Sequence, residues 1–203
     1  MLYTIVQDSN RYRSLVWDDA QITQLVGESD MELRIDMWNS PRTYKDVYKE
    51  TLHVSFKPLS KQAEKLVIPD VSILQGRMFL NPKAYSVLSK IIGADGEFLP
   101  VSYEGGGDAY IFIPLRVAEE AGALDSRLSR KNEWGDLESL AFHEEKVKNW
   151  SLFRCEYDMF MSLQCQEEVK NAIEQADLKG VFFTNDLGNT FSNQFDSNIR
   201  DPN

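Results

Sequence analysis

Alternation and helical spacing divide the chain into short strands and two well-marked helices. Residues 2–6 read as a first strand, followed by a polar connection through Ser9, Asn10 and Arg11. Met31, Leu33, Ile35 and Met37 alternate with Glu32, Arg34, Asp36 and Trp38, the period of two that buries one strand face, and Ser40-Pro41 ends the run. Residues 53–56 form a short strand candidate halted by Pro58, while the mixed stretch 44–51 fits no template. Asn81-Pro82 opens the clearest helix, since Asn caps well and proline at the first position loses no needed hydrogen bond. Ala84, Val87, Leu88, Ile91 and Ile92 then recur at helical spacing, and Gly93 supplies the stop. Val169, Ala172, Ile173 and Ala176 form the stripe of a second helix, closed by Gly180 and followed by a buried strand at Val181, Phe182 and Phe183.

Between the helices, 97–103 and 109–113 read as two strands joined by the hairpin connection Glu104-Gly105-Gly106-Gly107-Asp108. Residues 150–156 and 158–161 give further short strands. From Asn185 onward the chain turns rich in Asn, Asp and Ser without a periodic pattern, which predicts a flexible tail that Phe191 and Phe195 can tether. The order of elements predicts an α+β fold: a mostly antiparallel sheet with a few packed helices, in a single domain over residues 1–185 with a tail at 186–203.

Charge narrows the partner class. The 203 residues carry 32 acidic and 22 basic side chains, a formal charge of −10, which repels nucleic acid and favours a basic partner. No stretch approaches the length of a membrane span, and the opening MLYTIVQDSNRYR lacks the basic-then-apolar pattern of a secretory signal. Cys155 and Cys165, the first in a predicted strand and the second near a helix start, are expected to be buried reduced thiols in a cytoplasmic protein.

The chemistry-bearing residues are few. His53 and His143 lie far apart, and His143 sits in a sequence where a zinc-protease helix would need a second histidine and has Val147. The glycine-rich loop is followed by a strand and flanked by carboxylates, so it reads as a mobile hairpin tip rather than a phosphate cradle. Carboxylates such as Asp95, Glu119, Asp136 and Glu138 leave open a convergent hydrolytic pair, though a solvated acidic face is the default. Trp17, Trp38, Trp134 and Trp150 read as core or interface anchors. No cofactor and no metal site is expected.

From Ile68 to Phe183 a series of landmarks carries a resemblance. It runs through Ile68-Pro69-Asp70-Val71-Ser72, the helix from Pro82, Phe98-Leu99-Pro100-Val101, Ala123-Leu124-Asp125 with Ser129, Leu152-Phe153-Arg154 and Leu178-Lys179-Gly180-Val181-Phe182-Phe183. In order and spacing this resembles the immunity-protein eleven family of bacterial polymorphic-toxin systems; the first 67 residues match no named pattern. The resemblance implies a non-enzymatic cytoplasmic antitoxin that binds a cognate toxin and occludes its active site. A non-catalytic adaptor or regulatory protein is the alternative, and a hydrolase with convergent carboxylates the third. The partner contact is expected at Tyr103, Glu104 and Asp108 on the hairpin, and at Glu144 and Glu145.

Overall fold

A computed structural model describes residues 1–16, 18–26, 41–58, 61 and 63–187. The alternating segment 31–37, Trp17, Trp38 and the tail from 188 lie outside the described residues. The described chain is an α+β fold. β1 (Leu2–Gln7) and α1 (Asp19–Val26) precede β2 (Leu52–His53), β3 (Val71–Leu74) and β4 (Arg77–Leu80). α2 (Pro82–Ile92), β5 (Gly96–Ser102), β6 (Ala109–Pro114), β7 (Arg130–Lys131) and β8 (Leu137–Ser139) follow. The chain then runs through α3 (Glu144–Val147), β9 (Leu152–Phe153), β10 (Leu163–Gln166), α4 (Glu167–Gln175) and β11 (Val181–Thr184).

The strands form a four-stranded antiparallel sheet ordered β11-β1-β10-β9, a five-stranded sheet ordered β2-β5-β6-β4-β3, and the β7-β8 hairpin. In the larger sheet only β2 and β5 run parallel, and Leu99 faces Ile111 while Met78 faces Phe112. One core cluster joins the two large sheets through the helices. Ile5, Leu163 and Cys165 meet Val71, Met78, Leu80 and Phe112, with Ala84, Leu88 and Ile92 of α2 and Val169 and Ile173 of α4 between them. The apolar stripes read from the sequence are the faces buried here. A second cluster lies around Phe79, Leu99 and Ile111, and a third around Leu2, Phe153 and Cys155. Both cysteines are free and buried, in different clusters, and burial pushes both thiols well above their usual range.

Several expectations are corrected. Residues 158–161 form a turn rather than a strand, and within 150–156 only Leu152–Phe153 is a strand, extended by a bridge from Arg154 to Val117. Cys155 therefore lies just beyond a strand. The β3-β4 hairpin is an addition to the elements expected from sequence, and Gln75 and Gly76 both take positive φ, 48° and 67°, at its two-residue turn. Residues 44–51 lack periodicity because they wrap a core edge: Tyr44 is fully buried in the second cluster, and the Tyr48 hydroxyl donates to the Pro100 carbonyl. β11 is half-buried at Val181, Phe182 and Phe183 rather than buried. Packing also extends past residue 185, since Leu187 joins the third cluster and its carbonyl accepts from the Thr4 hydroxyl at 3.3 Å.

Gly180 does not end the second helix. Asp177 does, at φ 50°: its N–H reaches the Glu174 carbonyl at 3.1 Å and that of Leu178 reaches Ile173 at 3.0 Å. This is the left-handed cap usually given to glycine. Gly180, at φ 120°, is needed elsewhere, because a Cβ there would stand 2.0 Å from the Val71 carbonyl oxygen. Asp177→Gly is therefore expected to raise the urea midpoint slightly, because the relief of left-handed strain outweighs the exposed contact with Lys179. Urea denaturation of the two proteins checks it.

Candidate functional site

A turn and a hairpin build a cleft with exposed apolar side chains at its edge. In the hairpin, Asn132 organises the chain between β7 and β8: its side-chain oxygen accepts from Trp134 N at 3.0 Å and Asp136 N at 2.8 Å. Its backbone N–H donates to the Asp136 carbonyl at 2.8 Å, and Gly135 closes the turn at φ 88°. An Asn with a glycine three residues on is ordinary turn chemistry. Its effect here is to hold Trp134 outward, 79% exposed.

The facing turn is pinned by two carboxylates. Glu119 accepts from the backbone N–H groups of Glu156 and Tyr157, at 2.9 and 3.0 Å, and from the Cys155 thiol at 3.3 Å. Asp158 accepts from Ser162 N at 3.0 Å and from the Ser162 hydroxyl. Between these anchors Met159 and Phe160 both take left-handed conformations, φ 57° and 60°. Two successive non-glycine residues there cost about 1 kcal/mol each. The geometry directs Met159 and Met161 outward, 68% and 45% exposed. Gly76 lets the β3-β4 turn approach, because a Cβ there would meet the Phe160 carbonyl oxygen at 2.2 Å. Lys131 ties hairpin to turn, its ammonium 4.8 Å from the Tyr157 ring centroid.

The result is a cleft of about 940 Å³. Its apolar lining includes Ile73, Leu137, Met159 and Met161, and its charged lining is Asp136, Glu138, Asp158 and Asp186 against Lys131. Trp134 adjoins it through Gly135. An exposed aromatic and methionine patch with a charged rim is the composition of a protein contact surface.

Beneath the turn, Arg154 is fully buried, donating to the Pro114 carbonyl at 2.9 Å with its guanidinium 5.9 Å from the Phe160 ring. Burial pushes it down to about 9, with Arg77 acting the same way and Tyr44 and Asp158 opposing. Burial also raises the Asp158 carboxyl above its ordinary 3.8; the Ser162 hydrogen bonds counter this and the Glu119 carboxylate adds to it. A raised folded value means the folded state holds the proton more tightly. Asp158 therefore lowers stability as pH rises from the unfolded value through the folded one, and is neutral in effect below both. Asp158→Asn is expected to be more stable than wild type at neutral pH and equal to it near pH 3, as read by thermal unfolding across pH.

The residues expected from sequence fall into two separate places. Tyr103 is half-buried against Phe56 and Phe79 in the second cluster. Burial raises its phenol, with Asp70 and Glu104 adding. Glu104 accepts from Phe56 N at 2.7 Å, so its carboxylate holds the hairpin to the chain after β2, while Asp108 is exposed. Glu144 lies 3.4 Å from the N-terminal ammonium, and Glu145 is exposed beside it on α3, whose Val147 packs in the third cluster. None of the five lines the cleft. His53 is exposed, its Nδ1 3.1 Å from the Ser102 hydroxyl, and His143 precedes α3. Among the described residues no three His, Cys, Asp or Glu side chains gather as metal ligands, and no helix is long and apolar enough to cross a membrane. The sequence signal missed was the turn Asn132-Glu133-Trp134-Gly135-Asp136.

No protein-family profile matches the chain, and no curated protein matches its sequence.

Proposed function

We propose that the chain is an immunity-type protein of the bacterial cytoplasm that neutralises a basic toxin by stoichiometric occlusion. The reading rests on the resemblance of residues 68–183. The observation that carries it is the cleft lined by Met159, Met161 and four carboxylates, with the exposed Trp134 next to its lining residue Gly135, on a chain of net charge −10. In this reading the carboxylates steer the encounter and the apolar side chains slow release. Glu104, Asp108, Glu144 and Glu145 add to the steering field at longer range, with Tyr103 an uncharged contact beside Glu104. An adaptor would use the same surface. The hydrolytic reading draws on Asp158 alone, the cleft carboxylate raised by burial.

The test is association kinetics with the purified product of the neighbouring toxin gene at two salt concentrations. Wild type should associate more slowly at high salt. Reversing Asp136 and Glu138 to Lys should slow association more than it speeds release, and reversing Glu104 and Asp108 should do so to a smaller degree. Rates indifferent to salt and to both reversals exclude steering by this charge.

A further inference from the structure

We infer that the chain forms a homodimer by pairing the outer edge of β11 antiparallel with the same edge of a second copy. β11 closes one side of the four-stranded sheet, with β1 its one neighbour. Asp8 N donates to the Gly180 carbonyl at 2.9 Å, and in an antiparallel ladder bonded pairs alternate with unbonded ones. Phe182 and Thr184 therefore turn their backbone groups toward Val6 and Thr4, while Val181 and Phe183 turn theirs outward. Among the described residues nothing bonds those outward groups. The other three edge strands of the two large sheets are each capped by a side chain. Gln21 takes both backbone groups of His53 on β2, at 2.8 and 3.2 Å. Gln7 accepts from Ile73 N on β3 at 2.9 Å, and Asp95 accepts from Leu152 N on β9 at 3.2 Å. β11 has no such cap, and 181–184 holds no proline or charged residue, the devices that keep an edge single.

An extended backbone is what such an edge binds, and charge selects a second copy over a basic partner. The cations beside the edge are already neutralised, Lys170 by Glu174 at 2.6 Å and Lys179 by Asp177. The rim offers no net field to a basic chain and little repulsion to an acidic one of the same sequence. One register satisfies every outward group. With Val181 opposite Phe183 of the second copy, each donates to and accepts from the other, and the two-fold axis passes through Phe182. Setting Val181 opposite Val181 of the second copy would place Phe183 against Lys179, whose carbonyl already accepts from Asp70 N and Val71 N, both at 2.9 Å. Setting Phe183 opposite Phe183 would place Val181 against Asn185, beyond the strand. The satisfying register also lays Lys179 of each copy beside Asp186 of the other, since the edge carries a cation before the strand and an anion after it. A groove of about 390 Å³ along the edge, lined by Ile173, Leu178, Val181 and Phe183, receives the Val181 and Phe183 side chains of the second copy. Of residues 179–186 only Asp186 also lines the cleft, so the pairing does not depend on the partner-binding reading.

The experiment is sedimentation equilibrium of the full chain across a concentration series, beside hydrogen exchange of the ¹⁵N-labelled protein. Wild type should reach twice its 23.3 kDa monomer mass. The amides of Val181 and Phe183 should gain protection with concentration, while those of Phe182 and Thr184, bonded to β1, stay protected throughout. Phe182→Lys and Phe182→Glu each set like charges face to face across the axis, and each should weaken the dimer about tenfold. Their equimolar mixture sets Lys against Glu and should restore it, which variants that merely misfold do not do. A monomer at every concentration, a dimer that survives both reversals, a mixture no tighter than either variant, or protection gained elsewhere each overturns the assignment. Val181 and Phe183 amides protected only in the toxin complex overturn it too, and give the edge to a strand of the partner.

Discussion

Asp95→Ala is expected to lower the unfolding free energy by about 3 kcal/mol. Asp95 is 3% exposed where α2 gives way to β5, and its Oδ2 accepts from Ser151 N at 2.7 Å and Leu152 N at 3.2 Å. Its Oδ1 accepts from Arg116 Nε at 3.4 Å, and Arg116 in turn lies over the Trp150 ring at 5.6 Å. One side chain thus fixes the start of β9 to the end of α2. Alanine leaves the N–H groups of Ser151 and Leu152 without their acceptor, and each such orphan costs about 1–3 kcal/mol. Asp95→Asn keeps an acceptor and is expected to lose about 1 kcal/mol, mainly the charge-assisted part of the Arg116 contact. Calorimetry should show the alanine variant melting about 10 °C lower, with the asparagine variant between it and wild type.

Trp134→Ala is expected to have the opposite profile. Because the indole is 79% exposed, its removal should change stability by less than about 0.5 kcal/mol. At a contact surface, however, a tryptophan anchor is worth about 2 kcal/mol or more, so affinity for the toxin should fall about thirtyfold. The loss should appear in the dissociation rate, since truncating an apolar anchor leaves steering unchanged. Met159→Ala should act in the same direction and more weakly, and it too should spare stability, because Met159 stands 68% exposed. Full affinity in Trp134→Ala places the contact elsewhere on the molecule.

What could be read from the chain depended on periodicity. α2 was legible to the residue because a cap, a proline and a complete apolar stripe agree. The Asn81 side chain accepts from Ala84 N at 2.9 Å and donates to Asp70 at 2.7 Å. The 97–103 and 109–113 hairpin was legible because two strand-like, largely apolar runs bracket a glycine-rich turn, and its register runs from Gly96-Pro114 to Val101-Ala109. The turn at 158–162 was misread because Met159, Phe160 and Met161 look like a short apolar strand. Only the left-handed backbone between the Glu119 and Asp158 anchors turns two of them outward. The β3-β4 hairpin lacked the usual Asn-Gly or Asp-Gly signal, since Gln75 occupies a position of positive φ that glutamine seldom takes.

The resemblance and the cleft report different things. Its landmarks are scaffold: Asp70 holds Asn81 and Lys179, Asp125 accepts from Arg127 N and Leu128 N, and Arg154 is fully buried. Residues so placed preserve a fold. The displayed side chains, Trp134, Met159 and Met161, lie between those landmarks.

Residual toxin activity against the molar ratio of this protein separates occupancy from turnover. Occupancy gives a linear fall that reaches zero at equimolar protein, with both chains recovered unmodified from the complex. Neutralisation of excess toxin by a small fraction of this protein, with a chemically altered toxin or product accumulating, would contradict it.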